Sequence, residues 1–267
     1  MDFSELLKAF ILGIIQGLTE FLPVSSSGHL ELGKALLEFG QNEDALLFSI
    51  LVHGATALST IVVFRKVIID LFKGLLEFRW NDSTRYAAMI LLSMVPVGIV
   101  GVGFEDHIEA LFEGQLVLVG FMLILTGGLL FFTAKAGNPT GKVTFGKAVL
   151  IGLAQAVAIL PGISRSGSTI STALLAGVSR ENAARFSFLM VLPPILGATL
   201  LEVKDYIEEP SSAFSPAALA VGFLAAFLSG LLACNWMIRI VKNAKLQYFA
   251  WYCFAVGALA VVLSLSA

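Results

Sequence analysis

The sequence predicts an all-α polytopic membrane protein, and two observations carry this prediction. Hydrophobic residues make up 57% of the chain and charged residues only 13%, whereas soluble domains carry about 25% charge. One segment also occurs twice, and each occurrence is an apolar run interrupted by a proline and a Ser-x-Ser-Gly turn. Such repeats are typical of membrane proteins whose functional site lies between two halves. We therefore expect residues 1–267 to form a single membrane domain.

The two copies of the repeat align without a gap at a spacing of 139 residues. The first copy (residues 9–30) reads AFILGIIQGLTEFLPVSSSGHL, and the second copy (residues 148–169) reads AVLIGLAQAVAILPGISRSGST. The copies differ where their reactive side chains lie: Ser26 and His29 belong to the first, and Arg165 and Thr169 to the second. The repeat divides the chain into halves of about 1–134 and 147–267.

Six apolar stretches are long enough to cross about 30 Å of hydrocarbon at 1.5 Å per residue. The predicted spans are Ala45–Phe64, Tyr86–Phe104, Leu116–Thr133, Phe186–Val203, Pro216–Ile238 and Tyr248–Ser266. The connections alternate in charge, because 65–85, 135–147 and 239–247 are basic whereas 105–115 and 204–215 are acidic. Basic loops remain in the cytoplasm. The sequence therefore predicts a multi-pass membrane protein with both termini outside.

Two further segments, 3–44 and 147–183, are predicted to be re-entrant helical hairpins rather than full spans. Counting them as spans would disturb the alternation of basic and acidic loops, whereas hairpins leave it intact. Irregular backbone at membrane depth survives only where protein or water satisfies it. The first hairpin then enters from outside and the second from the cytoplasm. Each is followed by three spans, so the second half of the chain is inverted relative to the first.

The serine-rich turns are candidate anion sites. Gly28 and Gly167 are expected at the sharp turns, each followed by a half-helix whose first N–H groups favour an anion. The hydroxyl groups expected to bind substrate belong to Ser25, Ser27, Ser164, Ser166 and Thr169. Arg165 adds a planar, permanently charged fork that suits a phosphate group. The alternative is that the small residues only let helices approach closely, but an intramembrane arginine is expensive and indicates function.

Ser26 and His29 form a candidate reactive pair, because residues three apart at the start of a helix can share a face. A serine beside an imidazole is a candidate nucleophile, and the histidine could itself attack or transfer a proton. Gln16 and Glu20, four residues apart on the preceding helix, would point the same way. Glu20 could bind a divalent cation or act as an acid or base. His53, in mid-span, is interpreted as a core histidine.

The two copies resemble the signature motifs of a known family. QGLTEFLPVSSSGH (16–29) and PGISRSGST (161–169) are similar to the motifs of the bacterial undecaprenyl-diphosphate phosphatase family, also known for bacitracin resistance. The resemblance covers essentially the whole chain. It implies an integral membrane hydrolase that removes the terminal phosphate of undecaprenyl diphosphate, regenerating the lipid carrier for peptidoglycan precursors. It also implies an inverted-repeat fold, a location in the bacterial inner membrane and an active site on the periplasmic side.

The resemblance assigns catalysis and diphosphate binding to Glu20, Ser26, His29 and Arg165. It further implies a divalent cation, Mg²⁺ or Ca²⁺, held by Glu20 with Gln16. The family has either Glu or Gln at the latter position. Because this chain has Gln there, only one carboxylate is available in the motif, and a metal clamp of two carboxylates is not expected. The partner is then a prenyl diphosphate lipid in the bilayer, and no nucleic acid is expected.

Two questions stay open at the level of sequence. Inverted repeats with an anion site at the membrane midplane also describe transporters, so a flippase for the prenyl phosphate lipid is the alternative function. A transporter would need Arg165 but would have little use for a reactive Ser26 and His29. Gly127 and Gly128 would permit close contact between helices of two molecules, which leaves a homodimer open.

Overall fold

The computed structural model describes residues 3–39, 43–104, 111, 115–208, 214–243 and 246–266. Regular structure in these ranges is helical, without strands, apart from an isolated parallel bridge between Gly141 and Val178. The helices are α1 (Phe3–Phe21), α2 (Ser26–Leu37), α3 (Glu43–Val63), α4 (Arg65–Leu75), α5 (Asp82–Gly103), α6 (Leu116–Phe132), a 3₁₀-helix (Thr133–Ala136), α7 (Phe145–Val157), α8 (Arg165–Leu175), α9 (Arg180–Met190), α10 (Leu192–Glu208), α11 (Pro216–Lys242) and α12 (Gln247–Ser266). The predicted all-helical class is confirmed.

Several of these helices are long and apolar enough to cross a membrane. Within the described ranges five candidate spans are present: Leu46–Val63, Asp82–Gly103, Arg180–Glu208, Pro216–Lys242 and Gln247–Leu265. They coincide with five of the six predicted spans, so the chain is a multi-pass membrane protein. The remaining prediction coincides with α6, which has 17 residues and a length of about 25 Å at 1.5 Å per residue. Its role as a sixth span stays a prediction.

The third candidate span is divided into two helices. α9 ends at Met190 and α10 begins at Leu192. Pro193 and Pro194 occupy the first turn of α10, where a missing backbone N–H removes no intrahelical hydrogen bond. The two prolines therefore account for a new helix start inside one apolar stretch.

The sharp turns of the two copies lie earlier than expected. Ser25 has φ 67° and Gly162 has φ 92°, both in the left-handed region, whereas Gly28 and Gly167 lie inside the first turns of α2 and α8. The expectation that these two glycines form the turns is therefore wrong. Ser25 and its repeat equivalent Ser164 instead cap the two helices, accepting hydrogen bonds from the N–H groups three residues ahead. A capping serine fixes where a helix starts, so each helix begins before the glycine.

Gly28 and Gly167 serve close approach between the copies. A Cβ atom on Gly28 would lie 3.2 Å from the Cα atom of Gly162. A Cβ atom on Gly167 would lie 3.3 Å from the Cβ atom of Pro23. Residues 23 and 162 are equivalent positions of the repeat, and so are residues 28 and 167. Each contact is therefore the repeat equivalent of the other. The two serine-rich turns thus pack against each other reciprocally.

Each copy also packs against helices from the other half of the chain. α1 contacts α11 extensively, and α7 contacts α5. The repeat-equivalent glycines lie at these contacts: an added Cβ on Gly13 would clash with the backbone of Gly222, and one on Gly152 with the backbone of Ser93. The halves are therefore interleaved, and the ends of α1, α2 and α8 meet inside the helix bundle.

The connections between spans are described in part. Of the predicted acidic loop 105–115, residues 105–110 and 112–114 lie outside the described residues, as do 209–213 of the second acidic loop. The basic segment 65–85 contains α4, where exposed Ile69 and Phe72, with Leu76 directly after the helix, form a stripe beside exposed Lys66 and Lys73. An apolar stripe next to basic residues is typical of a helix in the membrane interface.

Candidate active site

Glu20 is the centre of the polar cluster between the copies. It lies in the last turn of α1, and its side chain is 7% exposed. The Ser26 hydroxyl donates to Glu20 Oε2 at 2.7 Å, and Gln16 Nε2 donates to the same oxygen at 3.0 Å. The other carboxylate oxygen pairs with the guanidinium of Arg165. Glu20 therefore joins three of the predicted site residues, two from its own copy and one from the other.

Arg165 enters the site from the second copy. It is the first residue of α8, and its side chain is 17% exposed. Besides the ion pair with Glu20, it donates through Nη1 to the backbone oxygen of Ser187 at 3.3 Å. Thr169, one turn along α8, bonds to the hydroxyl of Ser187 at 2.6 Å. Side chains from both copies are therefore in contact in one polar cluster.

The serine-rich starts of α2 and α8 contain both capping hydroxyl groups and backbone N–H groups that are available to a ligand. Ser25 lies 3.3 Å from Ser27, and Ser164 lies 3.3 Å from Ser166, in each case between Oγ atoms. The cap serines satisfy the N–H groups of the glycines. The backbone N–H groups of residues 26, 27, 165 and 166 have no acceptor among the described residues. Helix N-termini with such free N–H groups attract anions, so both starts are suited to phosphate oxygens.

His29 makes contacts that differ from the predicted pairing with Ser26. Its Nδ1 atom lies 2.8 Å from the backbone oxygen of Ser25, and its Nε2 atom lies 2.8 Å from the hydroxyl of Tyr252. The Ser26 hydroxyl donates to Glu20 instead. The structure thus brings Ser26 and His29 to the same helix start without joining them by a hydrogen bond.

Comparisons with known proteins decide the family. Residues 9–259 match the family described as "Bacitracin resistance protein BacA". This chain belongs to the BacA family. It is 53% identical over 259 residues to a protein of Christiangramia forsetii, covering 97% of this chain and 98% of that relative. It is 55% identical over 262 residues to a protein of Bacteroides thetaiotaomicron, with the same coverage. A protein of Halothermothrix orenii is 40% identical over 263 residues, again with 97% and 98% coverage. All three relatives are named "Undecaprenyl-diphosphatase".

Three residues of this BacA-family site were missed by sequence reasoning. His53 Nε2 lies 3.6 Å from Glu20 Oε2, although the histidine was interpreted as a core residue. The rule that ionisable groups inside a membrane indicate function would have selected it. Ser187 and Tyr252 reach the site from α9 and α12. No local pattern distinguishes them, because their contacts depend on how distant helices meet.

The cluster offers limited but suitable ligands for a divalent cation. No group of three or more His, Cys, Asp or Glu side chains that could hold a metal is present among the described residues. Gln16 Oε1, however, is buried without a hydrogen-bond partner, and its amide touches Glu20. Mg²⁺ is usually bound through one or two carboxylates together with substrate phosphates and water, and Ca²⁺ also accepts the carbonyl oxygen of a glutamine side chain. Gln16 and Glu20 therefore fit a cation that arrives with a phosphorylated substrate.

Proposed function

We propose that this BacA-family protein hydrolyses undecaprenyl diphosphate to undecaprenyl phosphate and inorganic phosphate, as the names of its relatives indicate. This reaction recycles the lipid carrier of peptidoglycan synthesis and gives bacitracin resistance. The observation that carries the proposal is the contact of Glu20 with both Ser26 and Arg165. Phosphoryl transfer needs a nucleophile with a proton acceptor and positive groups that hold the phosphate. The Ser26 hydroxyl with the Glu20 carboxylate meets the first need, and Arg165 with the two helix N-termini meets the second.

Substrate binding is assigned to positive groups around the cluster. Arg165 and the free N–H groups at the starts of α2 and α8 hold the diphosphate oxygens. One N–H group of the Arg165 guanidinium pairs with Glu20, and its other N–H donors are offered to phosphate oxygens. Hydroxyl groups that add hydrogen bonds to the phosphates belong to Ser25, Ser27, Ser164, Ser166 and Thr169. The prenyl chain lies between helices in the bilayer.

The chemistry proceeds in two steps. Ser26 Oγ forms a bond to the terminal phosphorus while the bond from that phosphorus to the bridging oxygen breaks, and this oxygen leaves on undecaprenyl phosphate. The hydroxyl proton passes to Glu20 Oε2, its hydrogen-bond partner. A water oxygen then bonds to the phosphorus of the phosphoserine while the bond from that phosphorus to Ser26 Oγ breaks, and both hydrogens of the water stay on the departing phosphate. The proton on Glu20 returns to Ser26 Oγ.

Charge neutralisation contributes most to this reaction, because phosphoryl transfer has a loose transition state with charge on its equatorial oxygens. Arg165 supplies a fixed positive charge at that position. His29 lies with Ser26 at the start of α2. We assign it as the fourth catalytic residue, beside Glu20, Ser26 and Arg165. A Mg²⁺ or Ca²⁺ ion held by Glu20 and Gln16, when bound, would neutralise phosphate charge further.

The finer architecture follows from the same repeat. We propose six spans and two re-entrant hairpins (3–44 and 147–183) in an inverted repeat. The reciprocal contacts of Gly28 with Gly162 and of Gly167 with Pro23 support this arrangement, as does the alternation of loop charge. The chain then lies in the bacterial inner membrane with both termini and the active site outside.

The test is release of inorganic phosphate from undecaprenyl diphosphate by purified protein in detergent, with Mg²⁺ and with EDTA. Detergent micelles do not separate two compartments, so transport cannot be observed in them. Phosphate release in detergent therefore requires enzymatic hydrolysis. We expect release with Mg²⁺ and a large decrease with EDTA. Transport of the prenyl phosphate in vesicles without phosphate release in detergent would favour the flippase alternative.

A further inference from the structure

Helix α12 holds the serine-rich turn of the first copy at two adjacent positions. The Tyr252 hydroxyl lies 2.8 Å from His29 Nε2, and the two rings stack with centroids 5.5 Å apart and planes 13° apart. The next residue, Cys253, donates from its buried thiol to the backbone oxygen of Pro23 at 3.6 Å. Tyr252 therefore contacts His29 from a helix that also fixes the turn preceding it.

The protonation of His29 follows from what its partners can accept. The backbone oxygen of Ser25 lies 2.8 Å from Nδ1 and also accepts the backbone N–H of His29 at 3.1 Å. A carbonyl oxygen only accepts hydrogen bonds, so Nδ1 carries a hydrogen. In the neutral imidazole, Nε2 then has the lone pair and accepts a hydrogen bond from the Tyr252 hydroxyl. Both ring nitrogens are thus fixed by groups other than Ser26.

We propose that Tyr252 is a positioning residue for His29 in phosphate transfer. This inference rests on the proposed function. The tyrosine hydroxyl anchors the basic nitrogen and its ring limits rotation of the imidazole, so that His29 is held in one tautomer and one orientation at the start of α2. Ser26 delivers its proton to Glu20, and His29 with Tyr252 forms a separate hydrogen-bonded pair at the start of α2. A misplaced catalytic group slows chemistry far more than it weakens substrate binding.

The kinetic test compares Tyr252→Phe with Tyr248→Phe in the detergent assay. Tyr248 lies one turn earlier on α12 and is 71% exposed, so it serves as the matched control. Loss of one hydrogen bond corresponds to about a tenfold effect. We expect Tyr252→Phe to lower kcat about tenfold with KM within about twofold, and Tyr248→Phe to leave both unchanged. Wild-type kcat in Tyr252→Phe, or equal losses in the two variants, would overturn the inference.

A second readout reports on His29 without turnover. The chain has three histidines, so ¹⁵N-histidine NMR of the detergent-solubilised protein is simple to assign with His29→Gln and His53→Gln. Tyr252→Phe should shift the Nε2 resonance of His29 and leave that of His53 in place. An unchanged His29 resonance would overturn the inference even if kcat falls. If the wild type releases no phosphate, the proposed function fails, whereas an active wild type with insensitive Tyr252→Phe rejects only the positioning role.

Discussion

Glu20→Gln is the substitution with the most sharply defined consequences. The amide has the shape of the carboxylate and keeps an oxygen that can accept from Ser26, but it removes the charge that faces Arg165. The Arg165 and Glu20 side chains are 17% and 7% exposed, so the guanidinium would be left largely buried without compensation. Removing one partner of a buried ion pair costs about 3–5 kcal/mol. The amide is also unable to take the serine proton, and loss of such a proton acceptor typically slows a reaction by about 10²–10⁴.

Two measurements on purified protein check this prediction: phosphate release and thermal unfolding in detergent. Glu20→Gln should be nearly inactive with a lower unfolding midpoint. Glu20→Gln combined with Arg165→Met should recover part of the midpoint, because no buried charge remains unpaired, but no activity. Glu31→Gln is the matched control, since it breaks the 2.6 Å ion pair with Lys34 on α2 outside the cluster. Wild-type activity in Glu20→Gln, or an equal loss of activity in Glu31→Gln, would refute the reasoning.

Three further predictions concern the surroundings of the cluster. His53→Asn removes the imidazole 3.6 Å from Glu20 and should lower kcat up to about tenfold through loss of a contact to a charged group; an unchanged kcat would show that the histidine only fills space. Gly152→Ala adds a Cβ atom against the backbone of α5 and should destabilise the protein by about 1–3 kcal/mol. Gly128→Ala is the control, because its added Cβ atom would have no neighbour within 4 Å and should leave the unfolding midpoint unchanged. Equal midpoints for the two variants would contradict the contact between α7 and α5. Gln16→Met removes the amide oxygen that lacks a partner and should raise the Mg²⁺ concentration needed for half-maximal phosphate release, and an identical Mg²⁺ titration would argue against this ligand.

Much of the architecture could be predicted because composition and repetition act over the whole chain. Hydropathy located five of the six predicted spans, and the repeat indicated that its two copies meet. The location of the turns was wrong by three residues in the first copy and five in the second, because Ser25 and Gly162 take the left-handed conformation and the cap serines start the helices earlier. Glycine was expected at the turns for its freedom of φ, but Gly28 is needed for close approach.

The members of the candidate site were easier to predict than their partners. Spacing placed Ser26 and His29 on one helix start, but a backbone oxygen four residues back competes for the imidazole, and the carboxylate of Glu20 takes the serine hydroxyl. Tyr252 lies 223 residues from His29 along the chain, and its contact depends on the packing of α12 against α6 and the first turn. Such long-range contacts leave no local signal in a single sequence.

Phosphate release by Ser26→Ala tests the central claim most directly, because that claim assigns the attacking oxygen to this one side chain. Purified wild type, Ser26→Ala and Ser93→Ala would be compared on undecaprenyl diphosphate in detergent. Ser93, a buried serine bonded to its own helix at Ile90, is the control. We predict that Ser26→Ala loses about 10³-fold or more of the wild-type rate while Ser93→Ala retains it. Release by Ser26→Ala at the wild-type rate would contradict the account.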